Sequence, residues 1–85
     1  MASYSVVIKR SAAKELEDVP RKDRQKLVGK IQGLASNPRP EGCEKQAGQD
    51  RYRIRHGDYR VLYEIDDIVV VVTVVRVAHR REVYR

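Results

Sequence analysis

The sequence predicts a small α+β fold of order β-α-α-β-β-β, a helical hairpin packed on one face of a mainly antiparallel sheet. Three observations carry this. Residues 51–77 hold three runs of strand-forming residues separated by the turn dipeptides Gly57-Asp58 and Asp66-Asp67. Leu27, Ile31 and Leu34 recur at helical spacing. A chain of 85 residues has room for one core, so residues 1–85 are expected to form a single domain.

Taken in order, "YSVVIK" (4–9) is β-branched and loosely alternating, a first strand that stops at Ser11, a fitting N-cap for the helix "AAKELEDV". Pro20 suits the first turn of a second helix, whose apolar stripe adds Val28 and Ala35 and which Asn37-Pro38 ends. Residues 37–50, "NPRPEGCEKQAGQD", with two prolines and two glycines, predict a loop crossing from the helices to the sheet. "RYRIRH", "YRVLYEI" and "IVVVVTVVRV" then form a meander of three antiparallel strands. The last is apolar on both faces, which marks it as the most buried.

Eighteen Lys and Arg against twelve Asp and Glu give a net charge of +6, which favours a polyanion or a strongly acidic protein as partner. The single cysteine, Cys43, allows neither an internal disulfide nor a cysteine-based zinc site, and suits a reducing cytoplasm as an incidental loop thiol. The start "MASYSVVIKR" lacks a signal-peptide core and "IVVVVTVV" is too short to span a bilayer, so a soluble cytoplasmic protein with no membrane partner is expected. Two well-separated histidines and scattered carboxylates predict no metal and no cofactor. The cations of "RKDRQK" read as the solvated outer face of the second helix.

Register sharpens the function. With Gly57-Asp58 as a two-residue loop, His56 faces Tyr59, Arg55 faces Arg60, Ile54 faces Val61 and Arg53 faces Leu62. Alternation then puts Arg53, Arg55, Arg60 and Leu62 on one face and the core residues Tyr52, Ile54, Val61 and Tyr63 on the other. Arg55 opposite Arg60 is a local cost with no folding benefit, and such unexplained costs point to function. Clustered guanidinium groups match phosphate oxygens and acidic side chains alike. The ending "AHRREVYR" adds His79, Arg80 and Tyr84 close to the strand carrying Arg60. Together they make RNA cleavage conceivable: a base for the 2′-hydroxyl, cations for the scissile phosphate and an acid for the 5′-oxygen.

In "YSVVIKRSAAKELEDVP", "NPRPEG", "YRIRHGDYRVLYEI" and "HRREVYR", which stand in this order over nearly the whole chain, the sequence resembles the RelE/ParE toxin superfamily of bacterial toxin–antitoxin pairs. The resemblance implies the same β-α-α-β-β-β fold. For RelE-type members it implies a ribosome-dependent endoribonuclease, an mRNA interferase that cuts message in the A site. It further implies a cognate antitoxin, and a ribosome with its mRNA and 16S rRNA, as partners. By the same resemblance Arg53 and Arg55 match the paired basic residues that hold the RNA backbone. Arg60 matches the arginine on the scissile phosphate, Arg80 the transition-state arginine and Tyr84 the general base or stacking platform. Arg81 is a second candidate for the role given to Arg80. His79 and Glu44 are further candidates, since some relatives use a histidine and a glutamate as acid and base. An imidazole, ordinarily titrating near neutrality, suits protonation of a leaving group better than a phenol suits removal of a proton. The sequence departs from the family's "KL-x-G" with "EKQAG", where Gln46 replaces the usual leucine. The alternative is a ParE-like toxin that inhibits DNA gyrase without cutting RNA, or an RNA- or ribosome-binding module without catalysis.

Overall fold

The computed structural model describes residues 3–46 and 50–79. Its elements are β1 (Ser5–Ile8), α1 (Arg10–Glu17), α2 (Arg21–Gly33), β2 (Glu44–Lys45), β3 (Arg51–His56), β4 (Tyr59–Asp66) and β5 (Val71–His79). They form one sheet of order β1-β5-β4-β3-β2, with both helices on a single face. This is the α+β class read from the sequence, with one strand added and one pairing parallel.

β1 lies parallel to β5, Ser5 opposite Val71 through Ile8 opposite Val74. The parallel pairing explains where α1 begins. Lys9 is still extended and its N–H donates to the Val74 carbonyl, while its own carbonyl accepts from Ala13 N–H, so the helix starts where the sheet ends. The N-cap is therefore Lys9, without a side-chain cap, and Ser11 lies inside the helix. At α2 the N-cap is Pro20 itself, extended, its carbonyl accepting from Arg24 N–H, one residue earlier than the first-turn place expected. A ring that fixes φ and offers no N–H serves equally well just outside a helix.

The core joins Ala12 and Leu16 of α1 and Leu27 and Ile31 of α2, with Leu34, to Ile54, Val61, Tyr63, Val72, Val74 and Val77 of the sheet. β3 and β4 thus turn alternate residues toward the helices, and β5 does so on either side of a bulge. Where β1 stops, the outer edge of β5 is covered by α1: Glu15 accepts from Val77 N–H at 3.0 Å and from Arg76 Nε at 3.4 Å. An otherwise unpaired edge donor is thus satisfied.

The β3–β4 hairpin has the register the sequence predicts, His56 opposite Tyr59, Arg55 opposite Arg60, Ile54 opposite Val61 and Arg53 opposite Leu62. Gly57 has φ 56° while Asp58 has no positive φ, the pattern of a type II′ turn, which needs glycine first. The β4–β5 connection departs from expectation. Asp66 is still paired, opposite Val71, and Ile68 and Val69 belong to the turn, where their side chains are exposed. Asp66 Oδ1 accepts from both Ile68 and Val69 N–H, closing the turn, and Val70 takes φ 59°. A bulge between Leu62 and Tyr63 shifts the pairing with β5 by one residue. The predicted crossing loop also contains β2, which pairs antiparallel with β3, Glu44 opposite Arg53 and Lys45 opposite Tyr52.

Candidate nucleic-acid interface

Register alone assembles the second face of the sheet. One row across it runs Arg55, Arg60, Ala78; the next runs Glu44, Arg53, Leu62, Arg76; a third contains Arg51 and Glu64. Among the described residues no helix packs on it, the helical core residues meeting the opposite face, though Glu15 of α1 reaches Arg76 at the β5 edge. Arg53, Arg55 and Arg60 are brought together as the sequence predicts, and Glu44 with them.

The electrostatics of this face centre on Glu44. Its Oε2 accepts from Arg53 Nη2 and its Oε1 from Arg55 Nη2, both at 2.6 Å. Those charge-assisted bonds, Arg55 foremost and then Arg53, hold the Glu44 carboxyl below the usual carboxylate range. A carboxylate so stabilised is a weaker base than an ordinary one. Arg51 is paired separately, Nη2 to Glu64 Oε2 at 3.2 Å directly across the β3–β4 ladder.

Arg60 is the exception. It is only 4% exposed, and the bond its Nη1 makes, to the Tyr59 carbonyl, is long at 3.4 Å. Its Nε, like those of Arg51 and Arg53, is buried without a hydrogen-bond partner among the described residues. A cation projecting from an open face is what alternation suggests; the structure instead sinks Arg60 beside the buried Leu62 and Ala78. Burying unsatisfied guanidinium donors costs stability, so they are a place to look for a ligand.

His79 does not join this group. It follows Val77 on the helix-facing side, opposite Tyr59 in register, its ring edge-on to Tyr59 at 5.4 Å, and it lines a cleft with Glu15 and Asp18. The sheet thus separates His79 from Arg53, Arg55 and Arg60. His56 is tied to α2, with Nε2 3.2 Å from Asp23 Oδ1, and Lys30 Nζ donates to the Arg55 carbonyl at 2.8 Å, so both hold the hairpin on the helix. The predicted Arg80, Arg81 and Tyr84 lie outside the described residues. Two further cations have their register positions on this face, Arg51, paired with Glu64, and Arg76, whose guanidinium turns to Glu15 of α1. Arg51 follows from the 51, 53, 55 alternation, whereas Arg76, which the sequence does not place, reaches its row only by counting back from Ala78 before the bulge. Among the described residues no cluster of three or more His, Cys, Asp or Glu could hold a metal ion, and no helix is long and apolar enough to cross a membrane.

Two helices on one face of a five-stranded sheet, with arginines on the other, make the fold that the sequence resemblance implied, and comparison with known proteins agrees. Residues 6–84 match the family described as ParE toxin of type II toxin-antitoxin system, parDE. The chain is 34% identical over 84 residues to Toxin RelE of Mycobacterium tuberculosis, covering 96% of this chain and 87% of that protein. Among solved structures it is similar to the toxin in the archaeal RelE–RelB complex of Pyrococcus horikoshii, with TM-score 0.84, 27% identity and coverage of 92% and 96% of the two chains. It is also similar to the isolated RelE toxin of E. coli, with TM-score 0.80, 30% identity and coverage of 96% and 92%. The chain belongs to the RelE/ParE toxin superfamily of type II toxin–antitoxin systems.

Proposed function

We propose that this toxin is a ribosome-dependent endoribonuclease that cleaves messenger RNA in the A site. The 2′-hydroxyl would attack the adjacent phosphorus as it loses its proton to a base. The bond from phosphorus to the 5′-oxygen would break as that oxygen gains a proton, leaving a 2′,3′-cyclic phosphate and a 5′-hydroxyl. Arg53 and Arg55 are assigned to the RNA backbone. Arg60, with Arg80 or Arg81, is assigned to the charge that develops on the pentavalent phosphorus, a role in which loss of one donor costs about 10²–10³ in rate. Tyr84 is assigned as base or stacking platform. The single observation that carries this reading is Arg60: buried, opposite another arginine, with an unpartnered Nε among the described residues. Arg55 opposite Arg60 brings no folding benefit, and the terminal guanidinium nitrogens of Arg60 are assigned to the scissile phosphate.

As solved relatives are bound to RelB antitoxins, this chain is assigned a cognate antitoxin. An acidic segment laid on the arginine face would complement the +6 charge and silence the nuclease.

The ParE description of the matched family favours one other reading, inhibition of DNA gyrase through a protein-docking arginine face. The purified chain added to programmed ribosomes and, separately, to a gyrase supercoiling reaction decides between them. Cleaved A-site codons with supercoiling untouched are expected. Intact message with gyrase inhibited would establish the second reading.

A further inference from the structure

Glu44 holds two arginines of the site with one carboxylate, in a geometry that two oxygens of a phosphodiester would reproduce. We infer that Glu44 is a built-in counter-ion standing in the place of a backbone phosphate on Arg53 and Arg55, and that RNA must displace it to bind. The inference rests on the phosphate-binding role proposed above for those arginines.

Three features make the contact displaceable rather than permanent. Glu44 belongs to a two-residue strand at the sheet's edge, paired on one side. Its side chain is 47% exposed whereas that of Arg53 is 16% exposed, so the carboxylate lies on the solvent side of the cation it neutralises. The site also stays incompletely satisfied with Glu44 in position, because the Nε atoms of Arg53 and Arg60 are buried without partners among the described residues. A carboxylate has only two oxygens to offer; a phosphodiester adds bridging oxygens and lies along a chain of further charges. The counter-ion thus lowers affinity for isolated anions more than for a phosphate backbone that engages several cations at once. Glu44 acts through the arginines and is a positioning residue.

The experiment measures binding of a single-stranded 2′-O-methyl RNA, which lacks the attacking hydroxyl, to the wild-type chain, Glu44→Gln and Arg53→Ala across a salt series, with urea unfolding in parallel. Glu44→Gln should bind about three- to tenfold more tightly at low salt. Its advantage over the wild type should shrink as salt rises, because salt screens the Glu44–arginine pairs that only the wild type must break. Arg53→Ala should bind more weakly. If Glu44→Gln is too unstable to assay, Glu44→Asp, which keeps the charge but is too short to span both arginines, should tighten binding to a lesser degree. A folded Glu44→Gln that binds no better than wild type, while Arg53→Ala still weakens, overturns the counter-ion and leaves the phosphate site standing. Unchanged binding by Arg53→Ala removes the phosphate site, and the inference with it.

Discussion

Arg55 and Arg60 stand directly opposite each other across the β3–β4 hairpin, the first half-exposed and tied to Glu44, the second buried with an unpartnered Nε among the described residues. Like charges facing each other on neighbouring strands cost about 0.2–1 kcal/mol, and a buried unsatisfied donor costs about 1–3 kcal/mol more. In a domain whose whole stability is on the order of 5–10 kcal/mol that is a sizeable sacrifice. The phosphate-binding role proposed for Arg60 would account for it.

Arg60→Met should therefore separate stability from activity. The substitution keeps an unbranched side chain of similar reach and removes the charge, so the urea midpoint should rise, by the equivalent of about 1 kcal/mol, while cleavage on programmed ribosomes falls at least a hundredfold. A lower midpoint would mean that the guanidinium serves the fold.

His79→Gln should leave cleavage within about threefold of wild type, because the sheet stands between His79 and the arginines. General acid catalysis contributes about 10²–10⁴, so a loss of that size in single-turnover kinetics would return His79 to the chemistry.

Tyr63 is fully buried and its hydroxyl donates to the Pro38 carbonyl at 2.8 Å, fastening the crossing loop beneath the sheet. Burial pushes its phenol above the ordinary range, so the hydroxyl remains a donor at neutral pH. Tyr63→Phe strands that carbonyl and should cost about 1–2 kcal/mol in urea unfolding, with no specific loss of cleavage by the folded fraction.

Acid should loosen the β4–β5 turn. Asp67 accepts from Arg39 through both carboxylate oxygens, the shorter bond 2.8 Å, and from Tyr4 hydroxyl at 2.7 Å. Arg39 first, then Tyr4, holds the Asp67 carboxyl below its usual range. A group whose folded pKa is depressed stabilises above its unfolded pKa, and loses that contribution as pH falls through the folded one. The melting temperature of the wild-type chain should thus drop below about pH 4, and Asp67→Asn, already lacking the contribution at pH 7, should show a smaller drop. Equal drops in the two proteins would remove Asp67 from the acid response.

How much of this was legible depended on how local the determinant is. The hairpin register followed from a turn dipeptide and strict alternation, both local, and Leu27, Ile31 and Leu34 declared their face by spacing. The start of β5 was not legible, because Ile68 and Val69 are strand formers held in a turn by the Asp66 side chain, with Val70 at a φ that β-branched residues rarely adopt. The start of α1 depended on the parallel pairing of β1 with β5, a contact between residues more than sixty apart that no window of sequence displays. β2 is two polar residues with no pattern of its own; only its pairing with β3 makes it a strand and sets Glu44 against the arginines. The arginine face could be read, but the burial of Arg60 and the counter-ion above Arg53 are properties of the assembled sheet.

The most direct test of the central claim maps message ends by primer extension within minutes of inducing the wild-type chain and Arg60→Ala in bacteria. New ends inside translated codons are expected with the wild type and none with the variant. Intact messages under a growth-arresting wild-type chain, or equal cutting by the variant, would contradict that claim.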